Sequence, residues 1–179
     1  MAKLKPGTKR PFFTKSPFFV DSNIWIAWFN KKDIDHEKAK KMIQSFPPDI
    51  PLLTSNLVIY EVLTVLSMRA GHKKALKFGK WFFPLVFYGA IGEVLIDEAI
   101  EHQTWALFRN IKRKDISFAD CASVIVAKEY GANYILTFDQ HFRLFEKDFD
   151  LLFEKDFDLK IWNHDGREKK QRPHKNLTI

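Results

Sequence analysis

Short apolar runs alternate with longer amphipathic stretches through most of this chain. Phe18, Phe19 and Val20 form a run that follows Pro17 and stops at Asp21, which fits a buried strand, and residues 22–30 continue with helical spacing. Asp35 is placed to cap a helix running to about Ser45, and Pro47 and Pro48 end it. Residues 51–54 read as a second short strand. From Ser55, the residues Leu57, Ile59, Val62, Leu63, Val65 and Leu66 predict a mostly apolar, largely buried helix closed by Gly71. Another helix begins near His72, rich in Phe and Trp, and Pro84 is expected to break or bend it before Tyr88 and Gly89. Residues 93–96 read as a third strand, with Asp97 as the cap of a helix over 98–111. A helix over 117–130 should stop at a left-handed Gly131, and 133–137 is a further buried strand. Such alternation predicts an α/β fold, a parallel sheet covered by helices on both faces.

The two ends read differently. Residues 1–17 carry Pro6, Gly7, Pro11 and Pro17 among lysines and predict an extended basic arm; 18–163 form the folded domain, and 164–179 a basic tail. Within the domain, the octapeptide from Leu144 to Leu151 is repeated at once by residues 152–159. Two copies are too few for a solenoid. The expectation is a local duplication that lengthens a connection before a closing strand at 156–162, where Phe157, Leu159 and Ile161 alternate with more polar neighbours.

Composition narrows the class. With 46% hydrophobic residues and 18 Phe, 179 residues can bury the core of one domain. No apolar run approaches the roughly 18 residues of a membrane span, and the N-terminus lacks the apolar centre of a signal peptide. Cys121 stands alone, which excludes a disulfide framework and points to a reducing cytoplasm. A net charge of +7 and a pI near 9.4 suggest an acidic partner, nucleic acid first. Much of that charge lies in the arm (Lys3, Lys5, Lys9, Arg10, Lys15) and the tail (Arg167, Lys169, Lys170, Arg172, Lys175), where it also fits a solubilising role.

Four acids stand where an apolar run gives way to a helix, or just inside one: Asp21, Glu61, Asp120 and Asp139. In a parallel α/β sheet such junctions gather at one edge, where open sheets place their ligands. Carboxylates brought together repel unless a cation lies between them, and an oxygen-only ligand set favours Mg²⁺ or Mn²⁺. Each acid also has a local alternative. Asp21 and Asp139 can be N-caps, and Ser117 with Asp120 has the spacing of a capping box. Glu61 lies between Ile59 and Leu63 in a helix that looks buried, where an unpaired charge is costly. The six histidines show no paired zinc-site spacing and suit surface or local roles. Between Phe78 and Tyr88 the aromatic density suits core or a dimer face better than base stacking, and the lysines at 73, 74, 77 and 80 suit a solvated helix face or phosphate contacts.

In order along the chain, Val20-Asp21-Ser22-Asn23, Tyr60-Glu61-Val62, Ser117-Phe118-Ala119-Asp120-Cys121 and Leu136-Thr137-Phe138-Asp139-Gln140-His141-Phe142 resemble the PIN domain. The resemblance is closest to the VapC-type toxin ribonucleases of toxin–antitoxin pairs. It implies a three-layer α/β/α sandwich with a central parallel sheet, one or two Mg²⁺ or Mn²⁺ ions, and hydrolysis of RNA phosphodiester bonds. By residue match, Asp21, Glu61 and Asp120 are the core metal ligands and Asp139 a fourth. Asn23, Ser117 and Thr137 fall at supporting positions. The resemblance also implies a homodimer and a small antitoxin partner; an RNA-processing nuclease without an antitoxin, or a non-catalytic RNA-binding domain, are the alternatives.

Overall fold

Three apolar residues in succession leave no polar side to face water, and they become β1 (Phe18–Val20), buried at every position. The structure is a computed structural model that describes residues 13–132 and 134–145. Most of the basic arm, nearly all of the duplicated segment, the closing strand expected at 156–162 and the basic tail lie outside the described residues.

After β1 come α1 (Ser22–Phe29), α2 (His36–Gln44), β2 (Leu52–Ser55), α3 (Asn56–Ala70), α4 (His72–Phe87), β3 (Ile91–Val94), α5 (Glu98–Phe108), α6 (Phe118–Glu129), β4 (Tyr134–Leu136) and a 3₁₀ turn over Gln140–Phe145. The four strands are parallel, in the order β3-β2-β1-β4, with Phe18 opposite both Leu52 and Tyr134. Parallel crossovers are right-handed. Stepping outward from β1 to β2 to β3 puts α1–α4 on one face, and the return to β4 puts α5 and α6 on the other. The result is the expected α/β/α sandwich. The chain changes direction across the sheet between β1 and β4, so the crevice beyond their carboxyl ends is where such a fold places a ligand.

Aromatic packing dominates the α1–α4 layer. Trp25, Phe78 and Phe82 are fully buried, and the half-buried Trp28 and Trp81 rings meet at a centroid distance of 4.6 Å. Half of the aromatic stretch is therefore core, while Phe83, Phe87 and Tyr88 are exposed. Glycine ends helices where a left-handed backbone is required: Gly71 has φ 89° and Gly131 φ 65°.

Several elements depart from expectation. Helix α3 buries one stripe, Val58, Ile59, Val62 and Leu66, and exposes Tyr60, Glu61, Thr64 and Met68, so it is only half covered. Helix α4 continues through Pro84 to Phe87; the bond lost by the missing Pro84 N–H is that to the exposed Lys80, whose carbonyl can turn to water. Strand β3 starts two residues earlier than expected, because Ile91 and Val94 face the core and Leu95 is exposed. Asp35 makes no side-chain cap bond; its carboxylate pairs with Lys38 at 2.6 Å. Leu144 and Phe145, the start of the first octapeptide, belong to the core rather than to an outlying loop, with Phe145 1% exposed.

Candidate active site

Asp21 ends β1 with an extended backbone (φ −79°, ψ 164°), and its amide donates to Leu136 of β4 at 3.0 Å. Strand pairing thus sets the carboxylate beside Thr137, 116 positions away in sequence. The Thr137 hydroxyl donates to Asp21 Oδ2 (2.8 Å) and accepts from Asn23 Nδ2 (2.8 Å) and from the Asp139 amide (3.0 Å). One hydrogen and two lone pairs are all that a hydroxyl has, so its capacity is filled. Asn23 Nδ2 also reaches Asp21 Oδ2 (3.0 Å), and Asn23 Oδ1 accepts from the Phe138 amide (3.1 Å). Asp21 Oδ1 takes the first free amide of α1, that of Ser22, at 2.7 Å. These bonds fix Asp21, Asn23, Thr137 and Asp139 as one unit across the β1–β4 crevice.

Burial works against the charge held there. Asp21 is 5% exposed, and desolvation lifts its pKa from 3.8 to about 7. The bonds from Thr137 and Ser22 oppose the rise, and the charges of Asp120 and Glu61 add to it. Asp120, in the first turn of α6, is also raised, by burial first; the bonds with Ser117 oppose, and the charge of Asp139 adds. The four acids therefore lie within one electrostatic neighbourhood. Beside Asp120, burial pushes the Cys121 thiol up to about 11, which makes it an inert core residue.

The capping alternatives are realised as well. Ser117 N donates to Asp120 Oδ2 (2.7 Å) and Asp120 N to Ser117 Oγ (3.1 Å), a complete capping box. Asp139 Oδ1 accepts from the His141 amide (2.8 Å) and opens the 3₁₀ turn. Capping occupies one oxygen of Asp120 and one of Asp139, so it leaves oxygens for a cation. Glu61 differs from expectation: it is exposed, so its charge carries no burial penalty. Among the described residues no three His, Cys, Asp or Glu side chains close around a single point. The donor set nonetheless fits a hard divalent cation: carboxylate oxygens alone, one of them buried and pressed by its neighbours' charge.

Three residues to which the sequence assigns no role in the site join it. His141 Nδ1 lies 3.0 Å from Asp139 Oδ1, and its Nε2 lies 3.2 Å from Asp115 Oδ2. Arg113 Nε donates to Asp115 Oδ1 at 2.9 Å, and this guanidinium holds the Asp115 carboxyl well below the usual carboxylate range. The Asp139–Gln140–His141 spacing was the available signal, since an i, i+2 turn returns the ring to the acid. His36, by contrast, is locally satisfied, with Nδ1 2.8 Å from the Ala27 carbonyl.

An α/β/α sandwich with an acidic crevice at the β1–β4 switch defines the class, and residues 18–148 match the PIN domain. The chain belongs to the PIN-domain family. Over 124 residues it is 32% identical to the 23S rRNA-specific endonuclease VapC20 of Mycobacterium tuberculosis strain H37Rv, and equally to that of strain CDC 1551, covering 69% of this chain and 90% of each relative. The crystal structure of Mycobacterium tuberculosis VapC20, described as a sarcin-ricin loop cleaving toxin, superposes with a TM-score of 0.64 at 28% identity, over 71% of this chain and 93% of that one.

Proposed function

We propose that this chain is a divalent-metal-dependent endoribonuclease acting as the toxin of a toxin–antitoxin pair, with ribosomal RNA as its substrate class. The observation that carries the reading is the buried Asp21, held by Thr137 and Asn23 and pressed toward its neutral form by burial and by Asp120 and Glu61. Asp21, Glu61, Asp120 and Asp139 are the residues proposed to hold Mg²⁺ or Mn²⁺. When bound, such an ion supplies a nucleophile from water near neutral pH and offsets charge on the reacting phosphate. The chain's own groups prepare that chemistry. Thr137 and Asn23 orient Asp21, Ser117 holds one oxygen of Asp120, and His141 holds one of Asp139.

VapC20 similarity supports an antitoxin partner, and a cytoplasmic homodimer is part of the same reading. No described helix is long and apolar enough to cross a membrane. The test is cleavage of ribosomal RNA by the purified chain. Activity is expected with Mg²⁺ or Mn²⁺, silenced by excess EDTA and restored by added metal. Equal cleavage in EDTA overturns the metal mechanism.

A further inference from the structure

Between α5 and the Ser117 cap, Arg109, Lys112, Arg113 and Lys114 put four exposed cations into six residues, of which only Ile111 is partly buried. Two contacts hold the end of this loop, one to the core and one to the site. Ile116 is buried in the core, 4% exposed, and Asp115 faces His141, which faces Asp139. The loop then runs straight into Ser117 and the Asp120 capping box. Arg113 is committed to Asp115 and cancels the one anionic side chain in the segment. Arg109, Lys112 and Lys114 are exposed and make no ion pair among the described residues, so their charge is available to a ligand.

We propose that this loop is the backbone-binding rim of the site: Lys112 and Lys114, with Arg109, hold RNA phosphates flanking the scissile one. The proposal rests on the ribonuclease reading. Its chemistry is complementary to that of the crevice. Four acids beside a polyanion repel it, and cations on a loop tied to Asp139 through Asp115 and His141 bring the flanking backbone in at a fixed place. A strongly basic segment elsewhere on the surface would raise affinity without setting position.

The experiment measures binding of a fluorescent single-stranded RNA to the full chain in EDTA, by anisotropy across a salt series, and cleavage of the same RNA with Mn²⁺. Lys112→Ala/Lys114→Ala is compared with Lys73→Ala/Lys77→Ala, which removes the same formal charge from exposed positions of α4. The loop variant should bind roughly tenfold or more weakly near 0.1 M salt, and its log–log salt slope should fall by roughly 1.4 for two lost single-strand contacts. KM should rise with kcat nearly unchanged. The α4 variant should stay close to the parent, and Lys112→Arg/Lys114→Arg should restore the slope. If both alanine doubles weaken binding equally, the effect is net charge alone and the loop assignment is overturned. It is likewise overturned if the loop variant matches the parent while the parent binds and cleaves RNA, an outcome that leaves the ribonuclease reading intact. A parent chain that neither binds nor cuts RNA overturns both.

Discussion

At the scale of single residues, Asp21 combines two opposed demands. Its backbone position, set by β1–β4 pairing, removes it from water, and its hydrogen bonds from Ser22, Asn23 and Thr137 favour the charged form. Burial outweighs them, and the carboxyl is raised from 3.8 to about 7. The consequence for stability has a definite sign. Between these values the folded, metal-free chain keeps a proton that the unfolded chain has lost, so stability falls as pH rises through that window. The contribution of this group is at most on the order of 4 kcal/mol. The melting temperature of EDTA-treated protein should therefore decline from about pH 4 to pH 7 and level off above it. Asp21→Asn, which cannot titrate, should show a shallower decline over the same range. Parallel curves for parent and variant would mean that Asp21 does not titrate there. A cation prefers the charged carboxylate, so added Mn²⁺ should flatten the parent's curve as well.

At the scale of elements, capping and metal binding are alternative roles for Asp120 in the sequence alone, and the geometry makes them compatible. Oδ2 closes the α6 capping box while Oδ1 stays outside it. Two substitutions separate the roles. Asp120→Asn keeps an oxygen for the Ser117 amide, so the metal-free chain should change stability little and cleavage should fall by at least a hundredfold. Asp120→Ala also loses the cap and should be less stable by about 0.5–2 kcal/mol. Thermal melts beside cleavage rates decide it; near-normal cleavage by the Asn variant would sink the ligand role. Local signals of this kind were legible: Ser117, Asp97 and Gly131 mark helix ends through bonds within a few residues. The exposure of Glu61 was not, because the apolar count of α3 hid that its buried stripe lies on the other side. Nor was the Asp115–His141 contact, which no local pattern encodes and which the packing of the loop against the 3₁₀ turn creates. The positions of Asp21 and Asp139 as candidates were legible because the ends of β1 and β4 share one edge of a parallel sheet.

At the scale of the whole molecule, the alternation of apolar runs made a parallel sheet readable, while the order β3-β2-β1-β4 and the pairing of Asp21 with Thr137 emerged only from the fold. The duplicated octapeptide gives a test of how much added chain such a fold tolerates. Phe145, near the start of the first copy, is 1% exposed and its ring centroid lies 6.1 Å from that of Phe142, so truncating it should leave a cavity. Phe145→Ala should lower stability by about 3–5 kcal/mol. Deleting residues 144–151 as a block removes the same Phe145 and seven neighbours, yet should cost far less. After the deletion Arg143 is followed by Leu152 and Phe153, and the next eight residues repeat the deleted sequence letter for letter. Phe153 can then occupy the Phe145 position with the same preceding turn, and shortening a connection by eight residues changes loop-closure entropy only slightly. Urea denaturation of the parent, the point variant and the deletion tests this, with RNA cleavage as a second readout. The expected order places the deletion close to the parent and Phe145→Ala well below both. If the deletion is as unstable as the point variant, the two copies are not interchangeable, and the first is bound to its place by residues beyond Phe145.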